Sequence, residues 1–150
     1  MELIELQTVI KTDVQTCFDL ARNINFHQQS LVHSKEKAVA GKTSGLIELG
    51  ECVTWEAIHF GIKQKLISKI TEFNYPYYFV DEMVSGAFKS FKHEHVFEIK
   101  GNVTLMTDKF YFESPLGMLG KLANRLFLKR YMIQLLQTRN QLLKEKAERS

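Results

Sequence analysis

The feature that most constrains this chain is a run of six strand-like segments between residues 31 and 113, separated by short gaps. The segments are roughly 31–40, 51–60, 62–73, 77–85, 88–100 and 102–113. Turn signals punctuate them: Gly41 to Gly50, Gly61, Asn74-Tyr75-Pro76, Gly86 and Gly101-Asn102. Gaps this short predict neighbouring strands paired as antiparallel hairpins. A meander of that length twists, and it must curl to cover its faces and edges.

The flanks complete the pattern. Residues 3–10 put Ile4, Leu6, Thr8 and Ile10 on one side at a period of two, a further strand. Thr12 or Asp13 caps a helix whose Val14, Cys17, Phe18 and Ala21 recur at helical spacing, and Asn23 starts a second short helix ending near Ser30. Beyond Pro115 the chain lacks proline and is rich in Leu, Lys, Arg and Gln, which predicts a long C-terminal helix. Its apolar stripe changes face. Leu116, Leu119, Leu122, Ala123, Leu126 and Phe127 share one side, and Leu128, Tyr131, Met132, Leu135, Leu136, Leu142 and Leu143 another, about half a turn away. Either the helix kinks near Phe127, or its first turns are apolar all round and cover something other than the sheet. Gly117 and Gly120 make the segment from Ser114 to Gly120 a candidate lid or portal.

With 150 residues, 45% hydrophobic and 25% charged, one globular domain over 1–150 is expected, and collagen-like, low-complexity and disordered readings are excluded. No window approaches the ~18 uncharged apolar residues of a membrane span, so no integral membrane association is expected. The opening MELIELQTVIKTD places acids among its apolar residues, unlike a signal peptide. Cys17 and Cys52, without a partner motif, exclude a disulfide framework and point to a reducing cytoplasm. Residues 116–150 hold eight Lys or Arg against two Glu, a balance of +6, whereas residues 1–115 hold twelve basic and fifteen acidic residues, a balance of −3. The two parts can attract each other, or the basic helix can touch an anionic membrane peripherally. Nucleic acid is not an expected partner, because no basic residues interleave with the inward aromatics.

Phasing the strands locates the chemistry. In 88–100 the inward face carries Phe91, His93, His95, Phe97 and Ile99; in 62–70 it carries Ile62, Gln64, Leu66, Ser68 and Ile70. In 102–112 the even face, with Thr104, Met106, Asp108, Phe110 and Phe112, is favoured over a nearly equally apolar odd face. Two segments stay open: Val53, Trp55, Ala57 and His59 compete with Ile58 and Phe60, and Tyr77, Phe79, Asp81 and Met83 compete with Val80 and Val84. A solid core would strand the inward polar groups at a cost of a few kcal/mol each. They must pair with one another or line a cavity that holds water or ligand. The candidate ligand contacts are therefore Trp55, His59, Gln64, Phe79, Asp81, Met83, Phe91, His93, His95, Met106 and Asp108 from the strands, with Leu119, Leu122 and Leu126 from the helix.

Alternate strand residues such as His93 and His95 lie about 6.5–7 Å apart, close enough to share an ion with His59, Asp81 or Asp108. Nothing else in the chain has metal-ligand spacing, so hydrogen-bonded histidines are expected and neither metal nor cofactor is assigned. An Asp–His pair in an apolar cavity can move protons, or merely anchor a ligand. Cys17 falls on an apolar helix face, Cys52 lacks a partner, and no G-x-S-x-G, Walker-type or G-x-G-x-x-G pattern occurs. No catalytic residue is assigned.

The order strand, two short helices, six strands and long helix resembles the START-like superfamily, also called SRPBCC or helix-grip. The resemblance spans nearly the whole chain. Its residues include Trp55-Glu-Ala-Ile-His-Phe-Gly61, Asp81-Glu-Met-Val-Ser-Gly-Ala-Phe88, Phe91-Lys-His-Glu-His-Val-Phe97 and Ser114-Pro-Leu-Gly-Met-Leu-Gly120, which are similar to the small bacterial polyketide cyclase/dehydrase-like branch. The resemblance implies an α+β helix-grip fold: a strongly curved antiparallel sheet of about seven strands around the C-terminal helix, with an apolar cavity between them. Members bind lipids, sterols, quinones or polyketides, and a few catalyse cyclisation or dehydration. The Gly-rich loop of the plant relatives is missing, with Leu46-Ile-Glu-Leu-Gly50 in its place. Carriage or sensing of a small hydrophobic molecule is the first functional expectation, and Asp/His proton transfer on a polyketide-like substrate the second.

Overall fold

β1 (Glu2–Ile10) forms one edge of the sheet, and the chain leaves it for two short helices, α1 (Val14–Ala21) and α2 (Ile24–Ser30). Both begin on a side-chain cap. Asp13 accepts from the Thr16 backbone N–H at 2.9 Å and from its hydroxyl at 2.8 Å, and Asn23 accepts from the Phe26 N–H at 3.0 Å. These bonds satisfy donors that a first helical turn leaves without partners. Six strands follow, β2 (Lys37–Gly41), β3 (Cys52–His59), β4 (Ile62–Asn74), β5 (Tyr78–Ser85), β6 (Ser90–Lys100) and β7 (Val103–Glu113), then α3 (Arg125–Arg149). The computed structural model describes residues 1–31, 34–86, 88–114 and 125–149.

All seven strands join one antiparallel sheet in the order β1-β7-β6-β5-β4-β3-β2. The meander is the one its short gaps predict, and β1 closes against the last strand. Bulges interrupt the β4–β5 ladder between Ile67 and Ser68 and between Ile70 and Glu72, and the β2–β3 ladder between Ala38 and Ala40. Each adds a bend and extra twist, and the sheet curves.

The chain just after α2 departs from the strand expected from residue 31 onward. The Asn23 cap carries helix through Ser30, and both the amide and the hydroxyl of Ser34 then bond the Leu31 carbonyl, at 3.2 and 3.0 Å. Lys35 turns the chain with φ 53°, so β2 starts only at Lys37. At its far end Gly41 is obligatory, because with φ 74° a Cβ would sit 2.4 Å from the Cys52 carbonyl oxygen.

The strand phases are now visible. In β3 the odd residues turn inward: Val53, Trp55 and Ala57 are buried, while Ile58 and Phe60 are 39% exposed. In β5 the bulged ladder buries neighbours, Phe79 and Val80 together, and leaves Asp81 and Met83 half-buried. Ile62 and Ile99, expected inward, project past the sheet at 51% and 58% exposure.

The core divides in two. One apolar cluster gathers α1 (Cys17, Phe18), Phe79, Phe97 and Met106 with Leu143 and Ala147 of α3. Phe18 is its hub, meeting Phe73, Tyr75 and Phe79 edge-on at 5.4, 4.9 and 5.1 Å between ring centres. The second gathers Ile4, Phe91, Phe110 and Phe112 with Leu128 and Leu136. α3 is continuous helix through Phe127, and its buried stripe runs Leu128, Leu135, Leu136, Arg139, Asn140, Leu143, Ala147. Leu142, expected on that face, is 38% exposed. Residues 116–124, with the helix turns and most of the portal expected there, lie outside the described residues. Among the described residues no helix is long and apolar enough to cross a membrane.

Replacing Gly41 by Ala forces both a left-handed backbone and a clash with Cys52, and should cost about 1–3 kcal/mol. Asp13→Ala, which removes only a cap, should cost about 1 kcal/mol. Urea denaturation of the two variants beside the parent chain checks the order.

Candidate functional site

Between the two apolar clusters lies a layer of polar side chains. Asp108, on β7, is fully buried. Its Oδ1 accepts from His93 Nε2 on β6 at 2.7 Å and from Arg139 Nη2 on α3 at 2.7 Å, and its Oδ2 accepts from Asn140 Nδ2 at 2.8 Å. Three elements are thus tied through one carboxylate. The β5–β6 register sets Asp81 beside this layer, and its Oδ2 pairs with His95 Nε2 at 2.7 Å. The imidazoles of His93 and His95 stack at 3.7 Å between centres and 26° between planes, and Phe79 covers the other face of His95 at 4.0 Å and 10°.

Burial sets the charge states. Loss of water and the neighbouring His93 push the His95 imidazole down to about 4, against the smaller opposing pull of Asp81. His95 is therefore neutral at pH 7, and the proton on Nε2 is the one Asp81 accepts. Burial alone would raise Asp81, but the His95 hydrogen bond and the nearby positive groups hold it below the usual carboxylate range. Asp108 is likewise held below that range: burial opposes ionisation, yet Arg139 and His93 outweigh it. Among the described residues, Asn140 Oδ1 and His95 Nδ1 of this layer are buried without a hydrogen-bond partner. The latter lies 3.7 Å from Asp108 Oδ1.

Beside the layer opens a pocket of about 200 Å³ between the inner sheet face and α3. Its apolar walls include Trp55, Ala57, Leu66, Phe79, Phe91 and Phe110 from the strands, and Leu128, Met132, Leu135 and Leu136 from α3. Polar groups sit at separate stations on them. Asp81, His93, His95 and Arg139 form one, Gln64 and Ser68 line β4, and His59 lies across from Tyr131 with Nδ1 and hydroxyl 2.5 Å apart. Phe60, held at φ 55° on the β3–β4 turn, packs its ring on Tyr131 at 4.5 Å and Phe127 at 5.3 Å.

Asp81, His93 and His95 offer three ligand atoms within 4.8 Å of one another, the group among the described residues that could hold a metal ion. Their arrangement suits hydrogen bonding better. Stacked rings point their lone pairs along nearly parallel planes, so an ion about 2.1 Å from both nitrogens would sit out of each plane. A thiol nucleophile is not available in the core either, since burial pushes Cys17 up to about 11.

No family model matches the chain, and no curated protein matches it. Solved structures do. Protein TTHA0849 of Thermus thermophilus superposes with a TM-score of 0.78 at 16% identity, covering 97% of each chain. A START superfamily protein from Mycobacterium smegmatis gives 0.73 at 12% identity, over 98% of this chain and 97% of its own. The fold is START-like. The Zhui aromatase/cyclase from Streptomyces sp. R1128 shares it too, at 0.74 and 9% identity over 99% of this chain and 94% of its own.

Within this START-like frame eight expected contacts line the pocket: Trp55, His59, Gln64, Phe79, Asp81, Phe91, His93 and His95. Met106 is fully buried in the first cluster and Asp108 lies behind the histidines, so neither is on the wall. Met83 packs half-buried against the second cluster, Leu126 is 61% exposed, and Leu119 and Leu122 lie outside the described residues. Sequence reasoning missed Arg139, Asn140 and Arg22. Arg139 and Asn140 follow Leu136 at three and four residues, a signal that they share its inward stripe.

Asp108→Asn should cost about 3–5 kcal/mol of unfolding free energy at pH 7, because Arg139 is left buried without its counter-charge and the new amide faces the Asn140 donor. The pH dependence has a definite sign. The unfolded chain takes a proton on His95 near 6.5 while the folded chain resists until about 4, so stability falls as pH drops through that window. Asp81 and Asp108, depressed in the folded state, add a further loss at lower pH. Urea midpoints from pH 7 to 4 should decline, and His95→Gln should flatten the upper part of that decline.

Proposed function

We propose that this chain binds a small, mostly apolar molecule in the pocket between sheet and α3, as a carrier or sensor. The observation that carries the reading is the pocket itself, about 200 Å³ of unfilled space with largely apolar walls where a close-packed interior would be solid. Apolar area withdrawn from water supplies affinity, at about 25 cal/mol per Å², and the few polar groups orient one end of the ligand. The setting is a reducing interior, consistent with two free cysteines.

A second reading, proton transfer on a polyketide-like substrate, is favoured by the Asp81–His95 distance of 2.7 Å and by the likeness to an aromatase/cyclase. The surroundings of His95 favour binding over turnover. Its faces are covered by Phe79 and His93, Nε2 is engaged, and Nδ1 is buried. A general base needs a lone pair within reach of its substrate.

Native mass spectrometry of freshly purified protein should show a bound mass, and the neutral probe N-phenyl-1-naphthylamine should brighten on addition. Ala57→Leu, which fills the wall from a buried position, should weaken probe binding roughly tenfold while leaving the fold intact. Absence of both bound mass and probe uptake would overturn the reading.

A further inference from the structure

We infer that the pocket selects ligands by a hydrogen-bond donor, a hydroxyl or ammonium group presented to the Asp81 carboxylate, and rejects ligands that end in a carboxylate. The inference rests on the binding reading above and adds the chemistry of the ligand's polar end. Asp81 lines the pocket with its side chain 21% exposed. Its Oδ2 accepts a hydrogen bond from His95 Nε2, while among the described residues Oδ1 has no hydrogen bond and no Lys or Arg within ion-pair distance. The ionic partner of Asp81 is thus an imidazole, one that burial keeps neutral at pH 7. The buried cations of the wall are already held by other carboxylates, Arg139 by Asp108 at 2.7 Å and Arg22 by Asp19 at 2.9 Å. Lys65 also borders the pocket, but it is exposed to solvent. Among the described residues the inner station therefore offers an anionic acceptor and lacks a free cation to receive a second anion. Gln64 and Ser68 can accept or donate and do not reverse this preference.

Global charge works in the opposite direction. The chain carries a formal +3, which by itself favours anionic ligands, so discrimination against a carboxylate must come from the pocket. The test uses decylamine, decanol and decanoate, equal in chain length and different only at the head, as competitors for N-phenyl-1-naphthylamine at pH 7. On the parent chain the amine and the alcohol should displace the probe at concentrations at least about tenfold below that of decanoate. Amine ahead of alcohol marks a recognised cation; the two level mark a recognised hydroxyl. Asp81→Asn keeps the shape and removes the charge, and should shrink the gap to roughly threefold or less, with each competitor read against the variant's own probe affinity. Glu72→Gln, on an exposed carboxylate outside the pocket, should leave the gap in place. Decanoate binding as well as decanol on the parent chain would overturn the inference, whether or not the variant folds. So would a gap that survives Asp81→Asn. Failure of the probe to bind the parent chain would instead overturn the binding reading, and this inference with it.

Discussion

One buried carboxylate organises the interior. Asp108 has lost all contact with water, a loss worth several kcal/mol for an isolated ion. It stays charged because β6 and α3 bring it three donors, from His93, Arg139 and Asn140. Those bonds fix where the helix meets the sheet. On the C-terminal side of Asn140, α3 packs without space, and Leu143 and Ala147 are fully buried in the cluster around Phe18. On the N-terminal side Leu128, Met132, Leu135 and Leu136 face the pocket instead. The anchor and the pocket are consecutive stretches of one helix.

The two apolar clusters are separated for the same reason. Along β6 the inward residues run Phe91, His93, His95, Phe97; along β7 they run Phe112, Phe110, Asp108, Met106. Both series go from apolar to polar to apolar, and the antiparallel register lays the polar members side by side. Stacking lets the imidazoles bury their faces against each other and against Phe79 while their edges reach carboxylates. A layer built this way gives conformational definition, because any slip of register would strand several polar groups at once.

The sheet and its inward faces could be read from the sequence because alternation with a period of two follows from strand geometry itself. His93 and His95 could be placed inward among aromatics for that reason alone. The reading weakened where geometry leaves the ideal. In β5 the bulges bury Phe79 and Val80 together, which no strict alternation can express. After α2 an apolar start looked like a strand, while the Asn23 cap and the Ser34 turn kept the chain out of the sheet. Arg139 and Asn140 were hidden by composition: in a tail so rich in Lys and Arg, a guanidinium reads as solvated surface. Its spacing from Leu136 and Leu143 carried the contrary signal.

Likeness of fold at 9–16% identity leaves the pocket's chemistry to be read from this chain. A curved antiparallel sheet with a gripping helix is specified by where apolar residues recur, and that pattern is indifferent to which inward positions are polar. The polar positions decide what the space accepts. Here they consume their own charges: Asp108 against Arg139 and His93, Arg22 against Asp19. Asp81 differs, since its partner is an imidazole that burial keeps neutral. The His95 hydrogen bond, with His93 and Arg139 acting from farther off, holds it charged, and among the described residues its Oδ1 has no hydrogen bond. That uneven pairing, more than the fold, is the chemical signature of this pocket.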